Sequence, residues 1–395
     1  MEGQRMCSQS LRRGYTTGTC AQAATKAAML LLFGISKADE LTDVRVELPK
    51  GERLNLEIRD IKIEYKETEK FPHTVSCAVK KDSGDDPDIT DGIFVYSKVR
   101  RMVSSGEGRV IRLDGGRGIG RVTRPGLDQP VGAAAINRIP RQMITREAEA
   151  ICEEIGYEGE IDIELSVPDG EELAKKTFNP RLGVEGGLSI LGTSGIVEPM
   201  SEQAILDTIY LDMKVKIKGQ KSGKKILIMA PGNYGLEFLK EAYGIEEDEV
   251  VKCSNFIGQS IDMAKELQCD ALLLAGHIGK LVKVAGGIMN THSRWADSRM
   301  ELLAAGALRA GFSAEKSREL LECATADDAL SRCTKEEQES LMYQVMEKIQ
   351  EYLRMRAGEE MLIEAVIFSK VYGILGKTSR ADEIAAAKFR ECDGN

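Results

Sequence analysis

The chain has 395 residues, 42% of them hydrophobic and 30% charged, with a formal net charge of −9. That balance excludes a disordered or fibrous polymer, and the length favours more than one domain. The longest apolar run, 27–33, is too short to cross a bilayer, and an acidic chain lacks the positive surface that general nucleic-acid binding needs.

The first residues, Met-Glu-Gly-Gln-Arg-Met-Cys, contain no apolar core of a secretory signal. Nine cysteines form no Cys-x-x-Cys pair, and the three histidines are His73, His277 and His292. Neither a disulfide framework nor a protein-built metal cage is expected, and the natural compartment is the cytoplasm.

Along the chain, Thr19-Cys-Ala-Gln22 has capping-box form and opens an alanine-rich helix that Gly34 closes. Residues 44–48 and 54–58 alternate apolar and polar side chains, as half-buried antiparallel strands do. Further strands are expected over 74–79, 93–96, 109–113 and 161–167. A helix is expected from about Pro140 to Ile155, with the proline near its start, where a missing N–H costs little. From about residue 187 the rhythm changes to apolar runs alternating with helices: 188–191, 225–230, 250–253 and 270–275. Such runs predict parallel strands buried on both faces. Thr334-Lys-Glu-Glu337 is a second capping box, and 362–368 a late strand. The sequence therefore predicts an α+β domain over 1–190 followed by an α/β domain over 191–395 with a Rossmann-like, mainly parallel sheet.

Three glycine loops follow the apolar runs: Gly192-Thr-Ser-Gly195, Pro231-Gly-Asn-Tyr-Gly235 and Gly276-His-Ile-Gly279. They are expected on one sheet edge, where backbone closely approaches a ligand, which makes Thr193, Ser194, Gly195, Gly232, Asn233, Tyr234, Gly235, Gly276 and Gly279 cofactor-binding candidates. Plain turn chemistry is the alternative. None of the loops is a phosphate-binding loop or a dinucleotide fingerprint. His277 at a strand end is a candidate base, and Lys280, Lys283 and Arg294 form a basic region beyond it.

The first half has its own anion-recognition features. Thr16, Thr17 and Thr19 at a helix start offer hydroxyls and free N–H groups as a polar cradle. Cys20 beside them reads as a packed thiol. Between Arg109 and Arg146 there are eight arginines, two aspartates and no lysine. Guanidinium is a planar fork matched to carboxylate, so Arg117, Arg121 and Arg124 in the glycine-rich middle are the leading anion-binding candidates; pairing with acidic neighbours is the alternative. The acidic loop 84–92 is a polar turn or a partner for arginines, and Asp88 in it is a second candidate base.

Taken together and in order, Gly14-Tyr-Thr-Thr-Gly-Thr-Cys-Ala21, Gly84-Asp-Asp-Pro-Asp88, Gly118-Ile-Gly-Arg-Val-Thr-Arg-Pro-Gly126, Gly192-Thr-Ser-Gly195, Gly232-Asn-Tyr-Gly235 and Gly276-His-Ile-Gly-Lys280 resemble the cobalt-precorrin-5B C1-methyltransferase family of anaerobic cobalamin biosynthesis. The resemblance implies S-adenosylmethionine as methyl donor and a tetrapyrrole as acceptor, with cobalt present only as part of that substrate. An acceptor fringed with acetate and propionate arms gives the arginines a chemical reason. A donor without phosphate fits the missing phosphate signature. A homo-oligomer is compatible with the sequence. The competing readings are another adenosyl-dependent enzyme acting on a polyanionic metabolite, and a tetrapyrrole carrier with no donor site.

Overall fold

The computed structural model describes residues 11–66, 71–102, 108–220 and 223–392. The amino-terminal leader, with its reading as a non-signal segment, lies outside the described residues. The chain forms two compact units, Met1–Ser201 and Glu202–Asn395. The division falls after residue 201 rather than 190, so the Gly192–Gly195 loop belongs to the first unit.

In chain order the first unit contains β1 (Gly14–Tyr15), α1 (Thr17–Leu32), β2 (Asp43–Glu47), β3 (Arg53–Glu57), β4 (Arg59–Glu64), β5 (Thr74–Lys80), β6 (Phe94–Met102), β7 (Val110–Gly115), β8 (Arg121–Val122), α2 (Arg138–Ile155), β9 (Glu160–Ser166), α3 (Gly170–Ala174), β10 (Val184–Glu185) and β11 (Ile196–Val197). Its main sheet runs β4-β5-β6-β9-β7, antiparallel except for the β7–β9 pair. Helix α1 is buried along most of its length because small side chains such as Ala23, Ala24, Ala27 and Ala28 let the sheet and α2 come close. Thr16, not Thr19, is its N-cap, accepting the Thr19 N–H. Residues 188–191 form no strand; Leu188 and Ile190 make isolated bridges to Ile119 and Ile136. The run is apolar because Leu188 and Ile190 enter the core of this unit, which a buried irregular segment does as readily as a strand.

The second unit contains α4 (Glu202–Gly219), β12 (Ile226–Ala230), α5 (Asn233–Tyr243), β13 (Val250–Lys252), α6 (Ile257–Glu266), β14 (Ala271–His277), α7 (Ile278–Leu281), α8 (Arg299–Arg309), α9 (Ala314–Leu321), α10 (Ala326–Ser331), α11 (Lys335–Ala357), β15 (Leu362–Ser369), β16 (Gly373–Lys377) and α12 (Ala381–Cys392). Its sheet has the order β13-β12-β14-β15-β16, parallel but for the last strand. The continuous apolar runs are explained by burial on both faces. Leu227, Met229, Leu272 and Leu274 enter one core; Ile226, Ile228, Leu273 and Ala275 enter the other. The capping box of Thr334 and Glu337 starts α11 as its spacing predicts. Among the described residues, no helix is long and apolar enough to cross a membrane.

Candidate functional site

The chain leaves β12 for β13 on one side of it, then crosses to β14 on the other. This reversal opens a crevice beyond the carboxyl ends of β12 and β14, the place where open parallel sheets receive ligands. Two of the three glycine loops border it. Gly235 is needed for packing, since a Cβ there would lie 2.7 Å from Ala230 Cβ and 3.0 Å from the Ala275 carbonyl. Gly232 is different: a Cβ would meet only Lys280 Nζ, at 3.8 Å, so this backbone is open to approach. Asn233 is exposed, and Tyr234 presents a ring that is 53% exposed, with Lys370 Nζ 3.8 Å from its centroid. Gly276 is buried, with no room for a Cβ beside Leu281 and Pro231, and Gly279 lies against the His277 ring.

His277 ends β14 and caps α7: its Nδ1 accepts the Gly279 N–H at 3.1 Å. The neutral ring therefore carries its proton on Nε2, which faces Asp327 Oδ2 at 3.9 Å. Burial lowers its pKa below the ordinary 6.5, with Lys370 adding to that and Asp327 opposing it. The neutral ring's lone pair is thus engaged in holding the loop rather than free to accept a proton. Lys280 Nζ donates to the Pro231 carbonyl at 2.5 Å and ties the two loops together, with burial lowering its pKa. Lys283 is 3% exposed and donates to the carbonyls of Thr291 and Ala296, at 3.2 and 2.8 Å. It holds the 291–296 segment, so its ammonium is engaged by the chain's own carbonyls. The apolar neighbours in Leu281-Val-Lys-Val-Ala285 are the sequence signal for that burial. Arg294 is exposed and paired with Glu202 at 3.1 Å.

In the first unit, the third glycine loop closes the threonine cradle. Thr19 Oγ1 donates to the Gly195 carbonyl at 2.7 Å, Thr16 N donates to the same carbonyl at 3.1 Å, and Gly18 N donates to the Leu191 carbonyl at 3.0 Å. Thr17 Oγ1 accepts the Leu191 N–H at 3.0 Å. Thr16, Thr17 and Thr19 are all buried. The helix start that reads as a ligand cradle is filled by the protein's own backbone. Thr193, Ser194 and Gly195 accordingly follow no strand of the second unit's sheet. Ser194 bonds within its own turn and Thr193 is exposed. Cys20, next in the helix, is fully buried, and burial pushes its thiol up to about 12, in keeping with packing.

Asp88 is bound by the Lys81 ammonium at 2.7 Å and by both the N–H and hydroxyl of Thr90. Burial works against its charge, yet these bonds prevail and hold its pKa below the usual carboxylate value. That leaves a fixed anion beside a buried lysine and a poor proton acceptor. Asp85 of the loop accepts the Arg12 N–H, and Asp82 just before the loop pairs with the Arg12 guanidinium rather than with the 109–146 arginines.

The arginine segment divides. Arg109 binds Glu153 and Glu158, Arg112 binds Glu160 at 2.7 Å, and Arg121 forms a two-pronged pair with Asp114 at 2.7 and 3.0 Å plus a bond to the Gly115 carbonyl. Arg121 is thus held by its own strand turn. Arg117 and Arg124 are exposed and show no carboxylate partner among the described residues. Gly118 and Gly183 fix where they stand, with positive φ of 73° and 70° and backbone or Arg124 side-chain atoms where a Cβ would go.

The fold defines a mixed α/β protein whose candidate ligand site lies at the carboxyl edge of a parallel sheet. The family model described as CbiD matches residues 4–199, and the one described as CbiD, C-terminal domain, matches 290–379. A curated relative from Ruminiclostridium cellulolyticum, named cobalt-precorrin-5B C(1)-methyltransferase, is 47% identical over 361 residues, covering 91% of this chain and 89% of its own. One of the same name from Alkaliphilus metalliredigens is 43% identical over 376 residues, covering 95% and 94%. A crystal structure of a cobalamin biosynthesis protein (cbiD) from Archaeoglobus fulgidus shares 25% identity and a TM-score of 0.36 over 78% of this chain and 84% of that one. The chain belongs to the CbiD family.

Proposed function

We propose that this chain is an enzyme that transfers a methyl group from S-adenosylmethionine to ring carbon C-1 of cobalt-precorrin-5B, giving cobalt-precorrin-6A. The observation that carries the reading is 47% identity over 91% of the chain to a protein of that name. When bound, S-adenosylmethionine supplies an electrophilic methyl on a sulfonium sulfur. The β12–β14 crevice is the proposed donor seat, formed by Gly232, Asn233, Tyr234, Gly235, Gly276 and Gly279. The fit rests on the open backbone at Gly232, the half-exposed Tyr234 ring as a stacking surface, and an ammonium turned away to a loop carbonyl rather than poised for phosphate.

Arg117 and Arg124 are the proposed contacts for the acceptor's acidic arms, because they are the central arginines left exposed and unpaired. An electron-rich ring carbon is its own nucleophile, so no covalent enzyme intermediate is needed. What the side chains must do is orient, and holding reactants at near-attack distance can supply ~7–11 kcal/mol. His277 and Asp88 act by fixing their loops.

The decisive experiment incubates the protein with methyl-labelled donor and cobalt-precorrin-5B and looks for label at C-1; folded protein that transfers none sinks the reading. In calorimetry, Tyr234→Ala should weaken donor binding by about tenfold, as loss of one aromatic stacking face predicts. Unchanged donor affinity would move the donor seat elsewhere.

A further inference from the structure

The first unit contains a groove of about 500 Å³ that none of the glycine loops lines. Three elements build it. Helix α2 gives the stripe Ile139, Gln142, Met143, Arg146 and Ala150, and α1 gives Gln22 and Lys26 one turn apart. The β2–β3 hairpin gives Arg45, Val46, Glu47 and Arg53, with Leu48 and Pro49 following β2. Leu48 also packs where a Cβ on Gly195 would go, so the groove lies beside the filled threonine cradle.

Its walls are apolar and its rim is cationic. Of the charged groups, Lys26 pairs with Glu147 at 3.0 Å and Arg53 with Glu47 at 3.0 Å. Gln22, 2% exposed beneath them, donates to the Glu47 carbonyl at 3.0 Å and to Glu147 Oε1 at 2.8 Å, which fixes both walls to α1. Arg45 and Arg146 remain, both exposed and neither with an anionic partner among the described residues. The groove therefore offers an apolar slot flanked by two unneutralised guanidinium forks. Its complement is a flat apolar body with carboxylate arms. A cationic sulfonium compound is a poor match, because the surplus charge of the lining repels it.

We propose that this groove seats one edge of the tetrapyrrole acceptor, with Arg45 and Arg146 binding its carboxylate arms; the inference rests on the methyl-transfer reading above. It adds a substrate-binding region outside the central arginine segment, built from residues a hundred positions apart in sequence. Arg45 stands opposite Asn55 in the hairpin, and Arg146 lies on the exposed stripe of α2. Their substitution therefore leaves the core untouched, and stability should hold.

The test uses two stable probes, cobyrinic acid and its fully esterified form, which keep the corrin ring and differ in arm charge. Wild-type protein should bind the acid and not the ester. Arg45→Gln/Arg146→Gln should lose on the order of 100-fold in affinity for the acid, about two charge-assisted bonds' worth. Affinity for S-adenosylmethionine should stay within about twofold. Ala150→Trp, which fills the groove while keeping both arginines, should lose acid binding as well. The inference is overturned if both variants bind cobyrinic acid and transfer methyl label to cobalt-precorrin-5B as wild type does. If wild type transfers no label at all, the methyl-transfer reading fails instead, and titrating the two groove variants against wild type with cobyrinic acid still decides the groove.

Discussion

Two loops of nearly the same composition, Gly192-Thr-Ser-Gly195 and Gly232-Asn-Tyr-Gly235, have opposite fates. In the first, the glycines let the loop close on the chain's own side chains: a Cβ on Gly192 would stand 2.3 Å from Thr16 Oγ1, and one on Gly195 2.7 Å from Leu48 Cδ2. In the second, the leading glycine faces open space with Lys280 Nζ as its nearest neighbour at 3.8 Å. A glycine loop signals close approach of something, and only the fold tells whether that something is a ligand or the chain itself.

The largest expected effect breaks this contrast if it is wrong. Gly195 has φ of 83° and no space for a side chain, so Gly195→Ala should cost about 2–4 kcal/mol in urea unfolding, combining left-handed strain with overpacking. Gly232→Ala should leave stability within about 0.5 kcal/mol, since its backbone is extended at φ 166° and uncrowded. Its effect should fall on donor binding. Equal destabilisation by the two substitutions would mean that the second loop is as closed as the first.

The same contrast marks what was legible in the sequence. The strands of the second unit could be read because both faces are buried, so Ile226–Ala230 and the Ala-Leu-Leu-Leu-Ala start of Ala271–His277 are uninterrupted apolar runs. The α11 capping box was legible because it is purely local. Residues 188–191 misled because an irregular segment that sends Leu188 and Ile190 into the core has the same hydropathy as a short strand. The threonine cradle misled for a related reason: hydroxyls and N–H groups advertise a polar partner, and nothing local reveals that Leu191 and Gly195 supply it. Charge was the least legible property. Arg121 and Arg117 stand four residues apart, yet only Arg121 has an aspartate within reach.

A smaller effect sharpens the division among the arginines. Arg117→Lys and Arg124→Lys should each weaken tetrapyrrole binding by roughly three- to tenfold, because a point charge replaces a fork matched to carboxylate. Arg121→Lys should bind nearly as wild type, since its guanidinium already serves Asp114. Donor affinity should not follow any of the three, and calorimetry with each ligand separates the two effects. Parallel losses of donor and acceptor binding would make the segment structural.

The smallest effect concerns the Gly276–Gly279 loop, whose neighbour Lys280 ties it to the open one. His277 has a folded-state pKa below 6.5, chiefly from burial. Above that pH, folded and unfolded rings are both neutral and contribute nothing to the pH dependence. As pH falls through 6.5, the unfolded ring takes up a proton that the folded ring still refuses, so stability declines until the folded pKa is passed. Asparagine in its place has no such titration and still offers a side-chain oxygen to the Gly279 N–H, as a good N-cap should. His277→Asn should therefore lose less stability than wild type between about pH 7 and pH 5 in urea titrations, with the two converging in slope above neutrality. Matching slopes across the acid range would show that the folded ring takes up its proton as readily as the unfolded one. The bond from Gly279 to Nδ1 would then give way as the ring protonates, and this edge of the crevice would need another anchor at acid pH.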